Sequence, residues 1–454
     1  MQRPSSLLHN LLFAVCAAAP FAVHSEAAPA TPMSMAAQSA LANHVHLPWT
    51  RNANIYEVNL RQYTKEGTFA AFATHLPELK KLGVDILWLM PVHPIGERNR
   101  KGGMGSYYSV RDYKAVAPEY GSLDDLRQLV KQAHGMGMHV IIDWVGNHTA
   151  WDNPWASAHP EWFKKNAKGE IYGVTFTNEA GGTEEWQDVV GLDFNNKDLW
   201  KGMIDAMAFW VREADIDGFR CDAAGLVPTP FWNQARAELD KIKPMFMLAE
   251  WSEPDLHEQA FDMTYAWDLG AVFKKIGEGK ADARDLKAYV QTPSKVYGRD
   301  AYRMLFTNNH DINSWENTDH QLYGSAFKAL AVLSFTLPGM PLIYGGQEAA
   351  LDKKLEFFEK DPIDWKTREL AGFYTNLTAL KKNNPALWNG QYGGTIRVLD
   401  TGSDQVFAFQ RQAGANLVTV AVNLSEQAHD VVLPGRESAL KLAAWDWHVS
   451  SVNK

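Results

Sequence analysis

Cysteine is almost missing from this chain of 454 residues: there are two, Cys16 and Cys221. Cys16 lies in the N-terminal apolar run, so a chain that loses that run keeps one thiol and closes no internal disulfide. Cys221 stands between Arg220 and Asp222, hence on the opposite face of any strand, and is expected as a small core hydrophobe rather than a redox group. No run of Lys or Arg stands out and the formal net charge is −9, which argues against a nucleic-acid or anionic-membrane partner. No glycine-rich phosphate loop opens a helix after the first strand-like run. Long apolar runs are lacking too. The stretch Leu11 to Val23 contains Pro20 and is too short to span a bilayer.

That stretch instead has the make-up of an export signal: an early Arg3, an apolar centre and small residues around Ser25 to Ala28. The residues before Cys16, Phe13-Ala14-Val15, are a poor lipoprotein cleavage site. The expectation is a cleaved signal over 1–27, a flexible lead-in over 28–47, and a destination in the periplasm or outside the cell.

What the chain does have is alternation. Eight strand-like runs, NIYEVNLRQYT, VDILWLMPV, HVIIDWV, IDGFRCDAA, MFMLAEW, MTYAWDL, YRMLFTNNHD and MPLIYGGQE, are mostly followed by amphipathic segments. Ser122 is placed to cap one helix and Gly83 to end another. That number and order predict an α/β fold, a (β/α)8 TIM barrel, over 48–390. Residues 149–197 show no clear period and are expected as a short inserted domain after strand three. From 391 to 454 the texture changes to short alternating runs such as QVFAFQRQ and NLVTVAVNL, expected as a small C-terminal antiparallel β domain.

The run DGFRCDAA places Arg220 and Asp222 on one face of a buried strand, so they must be paired, functional or both. In a barrel of this kind functional side chains project from the C-terminal strand ends. Those ends carry Asp143, Asn147 and His148 on strand three, Asp222 on strand four, Glu250 on strand five, and His310 with Asp311 on strand seven. Singly, each carboxylate is as well explained by an ion pair or a cap. Together, they would raise one another's pKa at a cost in stability that calls for a function. Converging carboxylates suit a metal site or acid–base and nucleophilic work on a sugar acetal. Trp144, Trp151, Trp155, Trp251, Tyr107 and Tyr108 in the nearby loops favour sugar, since such rings stack on pyranose faces.

These segments resemble those of the alpha-amylase family of glycoside hydrolases. IIDWVGNH is similar to the family's D-x-V-x-N-H segment, GFRCDAA to G-x-R-x-D, LAEW to the segment of the catalytic Glu, and TNNHD to N-H-D. LWLMPV, VGLDFNN and GMPLIYGGQE match further family segments, in order, from about residue 54 to 350. The resemblance implies a retaining enzyme with Asp222 as nucleophile, Glu250 as general acid and base, and Asp311 as the carboxylate that holds sugar hydroxyls. It implies that Tyr108, His148 and His310 contact the same sugar ring, and that Asp143 braces Arg220. Arg220 should keep Asp222 ionised, the apolar run MFML and Trp251 should raise the Glu250 pKa, and the two carboxyls should stand about 5–5.5 Å apart.

The chain departs from the family at Gly225 and Leu226, where many amylases carry a Lys-His pair that contacts an acceptor sugar and helps a calcium site. Asn147 and Asp193 still resemble calcium ligands, as oxygen donors, but the full set is missing. Ala223 after the nucleophile leans the expectation towards α-1,4 bonds, and Trp251 is expected on the acceptor side. The expected activity is α-amylase-like cleavage of α-1,4-glucosidic bonds in starch-like glucans or maltodextrins. The alternatives are an exo-acting or oligosaccharide-specific relative, whether an α-glucosidase, cyclomaltodextrinase or glucanotransferase, and a barrel that only binds sugar.

Overall fold

The computed structural model describes residues 46–177, 183–293 and 295–453. The expected signal at 1–27 and nearly all of the lead-in at 28–47 lie outside the described residues. Eight parallel strands close a barrel in chain order: β1 (Ile55–Val58), β2 (Ile86–Leu89), β3 (His139–Val145), β4 (Gly218–Asp222), β5 (Phe246–Ala249), β6 (Met263–Tyr265), β7 (Tyr302–Leu305) and β8 (Met340–Tyr344). β1 pairs with both β2 and β8, which completes the ring.

Strand period two sorts every barrel residue inward or outward. Ile55, Ile86, Trp88, Ile141, Phe246, Leu248, Met263, Tyr265, Met304 and Leu342 fill the interior. Their neighbours Tyr56, Leu87, Leu89, Val140, Ile142, Phe219 and Cys221 pack outward with the helices. Cys221 is buried there, as expected of a core hydrophobe. Gly218 is obligatory at the start of β4, because a Cβ would stand 1.9 Å from the Phe246 carbonyl oxygen. By the same parity Glu57, Asp143, Arg220, Asp222 and Glu250 belong to the inward set at the C-terminal ends.

Local signals account for most element boundaries. Ser122 accepts from the Asp125 N–H and Asp125 returns the bond in a capping box that starts the helix Leu123–Gly135. Gly83, at φ +91°, ends Leu76–Leu82. Two runs that look continuous are broken. TFAAFATHLPELKKLG forms Phe69–Ala73 and then Leu76–Leu82, with Pro77 in the first turn of the second helix. NIYEVNLRQYT is strand only to Val58 and then turns into a helix, Leu60–Tyr63.

The segment after β3 contains a three-stranded antiparallel sheet of His148–Ala150, Gly173–Thr177 and Thr183–Gly191. The C-terminal region forms a four-stranded antiparallel sheet of Thr395–Leu399, Val406–Ala413, Asn416–Asn423 and Trp447–Asn453, plus a two-stranded pair. Its apolar face, with Phe407, Phe409, Val418 and Val420, shares one core with Leu330 and Leu333 of the helix Phe327–Thr336. No helix among the described residues is long and apolar enough to cross a membrane.

Arg411 pins this sheet to the barrel. The side chain is buried and donates to the carbonyls of Gly394, Thr336, Leu337 and Trp388 at 2.9–3.1 Å, with no carboxylate partner among the described residues. Replacing it orphans several buried carbonyls at once. Arg411→Met should lower the stability of the whole chain by about 3 kcal/mol, read as an earlier thermal transition by circular dichroism.

Candidate active site

Arg220 sits opposite Asp143 in the β3–β4 register, and its side chain is fully buried. Its guanidinium holds three carboxylates. Nη1 donates to Asp143 Oδ1 at 2.9 Å and to Asp222 Oδ1 at 3.0 Å, while Nη2 stands 2.9 Å from Glu250 Oε1. Nε donates to the Tyr265 hydroxyl at 3.2 Å, and the cation lies 5.1 Å from the Trp88 ring centroid. Asp143 is sealed at 0% exposure, whereas Asp222, Glu250 and Asp311 show 13%, 16% and 19% of their side chains. That difference separates a brace from three groups that face the barrel mouth.

The second half of the site is a chain of hydrogen bonds. Glu57, inward on β1, meets His310 Nδ1 at 2.5 Å, His310 Nε2 meets the Tyr108 hydroxyl at 2.7 Å, and that hydroxyl donates to Asp143 Oδ2 at 3.1 Å. The Trp88 indole donates to the same Asp143 oxygen at 3.2 Å. These partners set the direction: a protonated Glu57 donates to Nδ1, and Nε2–H donates to Tyr108. The Tyr108 ring stacks on His310, with centroids 5.5 Å apart. His310 Nε2 also lies 3.4 Å from Asp311 Oδ2.

One guanidinium cannot neutralise five buried carboxyls, so protons remain in the site at neutral pH. Burial pushes Glu57 up to about 8 against the pull of Arg220. Burial likewise lifts Asp143 to about 8 and Asp311 to about 6, with Arg220 lowering the first and His310 the second. Glu250 is raised by burial and then by the Asp222 charge, in the direction expected of an acid. Asp222 differs from the expectation. Burial outweighs Arg220, so its carboxyl lies above the ordinary aspartate value, and a hydrogen bond with Glu250 pulls it part of the way back.

Ala223 links nucleophile candidate and acid candidate. Its N–H donates to Glu250 Oε2 at 2.7 Å, and it adopts a left-handed conformation with φ +44°. A β-branched residue would be strongly strained at that φ, which gives the Ala at this position a conformational reason. Asp311 is followed directly by a π-helical turn, Ile312–Glu316.

The other expected residues fall around this centre. His148 is buried, takes a bond from Asn147 Nδ2 at 3.2 Å and is pushed down to about 4 by burial, hence neutral. Trp251 is half-buried and lies over Gly225, where a Cβ would come 2.0 Å from its ring. Trp144 and Tyr107 are buried and offer no face to a sugar, a correction to the expected aromatic set. Asp193 accepts from the backbone and side-chain amides of Asn195 at 3.1 and 2.8 Å. Asn147 and Asp193 supply two of the roughly six to eight oxygens that calcium takes, and both side chains already have partners. Among the other residues at this centre, Glu57 and Tyr265 lie outside the matched segments, whereas Trp88 stands within LWLMPV without a role assigned to it there. A Glu in the otherwise apolar run IYEV is the one sequence signal that points to any of them.

Residues 50–389 match the family model for the alpha-amylase catalytic domain. The chain belongs to the alpha-amylase family. An alpha-1,4-glucan:maltose-1-phosphate maltosyltransferase of Rhodospirillum rubrum is 30% identical over 415 residues, 82% of this chain and 57% of that protein. An alpha-amylase of Haloarcula japonica is 28% identical over 412 residues, 88% of this chain and 59% of its own. The chain therefore spans a little under three fifths of the length of these two curated relatives. Among solved structures, an alpha-amylase from Lactobacillus plantarum superposes with a TM-score of 0.79 at 29% identity, covering 89% of this chain and 99% of that one. A maltogenic alpha-amylase from Thermotoga neapolitana gives 0.77 at 29%, covering 88% and 96%. These relatives of the alpha-amylase family include both hydrolases and transferases.

The raised Glu57 pKa has a stability consequence. A carboxyl lifted from 4.5 to about 8 contributes most below the lower value and loses that contribution as pH rises through the upper one. Glu57→Gln keeps a neutral hydrogen-bonding group there. Thermal melts at pH 5, 6.5 and 8 should show the variant losing less stability than wild type across that window. Parallel slopes would mean that Glu57 is ionised throughout.

Proposed function

We propose that the chain is a retaining glycoside hydrolase that cleaves α-1,4-glucosidic bonds in starch-like glucans or maltodextrins. The observation that carries this is the single buried Arg220 holding Asp222 and Glu250 together at the mouth, with Asp311 beside them. Asp222 has Oδ1 tied to Arg220 at 3.0 Å and shows 13% of its side chain at the mouth. In the first step Oδ2 attacks the anomeric carbon, the bond to the leaving oxygen breaks, and Glu250 gives that oxygen its proton. In the second step Glu250 takes a proton from water, the water oxygen bonds to the anomeric carbon, and Asp222 departs with its electron pair. Glu250 Oε2 accepts the Ala223 N–H and Oε1 faces Arg220 Nη2 at 2.9 Å, which fixes the carboxyl that gives and takes the proton.

In this reading Asp311, His148, His310 and Tyr108 bind the reacting sugar, while Arg220 and Asp143 position the two carboxyls. The first step moves negative charge rather than removing it: as the glycosyl ester forms Asp222 loses its charge, while Glu250, having given up its proton, gains one beside Arg220. Trp251, seated over Gly225, offers an apolar wall on the acceptor side instead of a charged Lys-His pair. A second reading, transfer to a sugar acceptor rather than to water, is favoured by that wall and by the maltosyltransferase among the relatives.

A product time course on soluble starch and maltoheptaose separates these readings. A spread of shorter maltodextrins supports hydrolysis with internal cleavage, and glucose or maltose alone from the start supports an exo-acting enzyme. Products longer than the maltoheptaose supplied establish transfer, and no turnover of either substrate refutes the α-1,4-glucan reading. Asp222→Asn and Glu250→Gln should each lower kcat by at least about a thousandfold with the melting temperature nearly kept. Activity within tenfold of wild type in either would refute its assigned role.

A further inference from the structure

At the end of the barrel away from the mouth, two histidines and an aspartate meet. His134 lies in the last turn of the helix Leu123–Gly135, His139 opens β3, and Asp217 stands immediately before β4. Pairing of β3 with β4 brings these elements side by side, and one donor atom from each residue lies within 4.8 Å of the others. The five residues from Asp217 to Asp222 span about 16 Å of extended chain, so this cluster is separate from the carboxylates around Arg220.

The three side chains are held in place by their neighbours. His134 Nε2 meets Asp217 Oδ2 at 2.7 Å, while its Nδ1 stands 3.5 Å from Asp215 Oδ2. A carboxylate on the far ring nitrogen is the partner that orients histidines bound to metals. His139 Nδ1 lies 3.5 Å from Asp217 Oδ1, is buried, and has no hydrogen-bond partner among the described residues. Its ring is fixed by stacking on Trp49, with centroids 3.7 Å apart and planes 12° from parallel. Asp217 is buried and also accepts the Val140 N–H at 2.8 Å.

Two imidazole nitrogens beside a carboxylate oxygen suit zinc, whereas calcium takes oxygen donors alone. Tetrahedral bonds of about 2 Å set neighbouring ligand atoms about 3.3 Å apart. The separations of 2.7 and 3.5 Å fall on either side of that value. Charge favours a cation as well. Asp215 and Asp217 share one ammonium, Lys243 Nζ, at 2.7 and 2.9 Å, which leaves the pair of carboxylates short of positive charge. Lys243 competes with a metal for Asp217, but it also donates to the Asp215 carbonyl and so keeps partners when Asp217 turns to an ion.

We propose that His134, His139 and Asp217 form a binding site for a zinc ion, which clips the end of the helix to the entries of β3 and β4. The ion takes the place of the proton shared by His134 Nε2 and Asp217, that proton passes to solvent, and water completes the coordination. Its position at the N-terminal face of the barrel gives it a part in stability and none in bond cleavage. Nothing in this assignment depends on which glucan the mouth accepts.

The test is calorimetric titration of the EDTA-treated and dialysed full chain with ZnCl2, beside thermal melts with and without the ion. Wild type should bind a single Zn²⁺ and melt later in its presence. His134→Ala and His139→Ala should each weaken binding by at least about a hundredfold, more than the loss of an orienting partner alone costs. Lys243→Ala, which removes the competing cation, should tighten it by about tenfold. Where one histidine variant fails to fold, the other and Lys243→Ala decide the matter. No binding to wild type, or binding of unchanged strength in the histidine variants or in Lys243→Ala, overturns the proposal.

Discussion

The buried guanidinium of Arg220 is the constraint on which the site depends. Among the described residues it is the one cation in contact with Asp143, Asp222 and Glu250, and Glu57 and Asp311 lie close enough to feel its charge. Removing this guanidinium leaves uncompensated buried carboxylate charge, at a cost of roughly 3–5 kcal/mol. The barrel supplies the geometry at little further expense. Parity sends Asp143, Arg220 and Glu250 inward, and closure of the ring brings strands three, four and five side by side.

The shortage of positive charge then decides where protons sit. With five carboxyls around one Arg, two of them sealed from solvent, full ionisation is costly and the site retains protons. The Glu57, His310, Tyr108 and Asp143 chain extends this logic. It lets a neutral carboxyl and a neutral imidazole satisfy each other, and it delivers a donor to Asp143 without a second cation. His310 is lowered by burial, which keeps it from contributing a positive charge of its own.

Much of this was legible from residues alone, for physical reasons. Continuous apolar runs and caps such as Ser122 and Gly83 declare buried parallel strands and the helices between them, so the eightfold alternation survives in the structure. Motif spacing locates the carboxylates because Asp222 ends a strand, Glu250 follows one directly and Asp311 lies in the segment beyond one. Less legible were features that depend on a neighbour distant in sequence. Glu57 acquires its meaning only from His310, some 253 positions away, and Tyr265 only from Arg220. The burial of Trp144 and Tyr107 is equally invisible in a list of aromatics. The segment 149–197 lacks a clear period because its strands are separated by loops and its sheet has three short members.

The expectation for Asp222 failed for an instructive reason. An adjacent Arg suggests a depressed carboxylate pKa, and the pairing alone would give that sign. The same guanidinium, however, is divided among three carboxylates, and desolvation acts on each of them in full. Shared attraction against undivided burial leaves Asp222 raised. Forming its bond to carbon moves the negative charge to Glu250, which gives up its proton in the same step and stands beside the same guanidinium. Arg220 therefore has one of its two carboxyl partners ionised on either side of the step, and it fixes geometry more than it fixes charge.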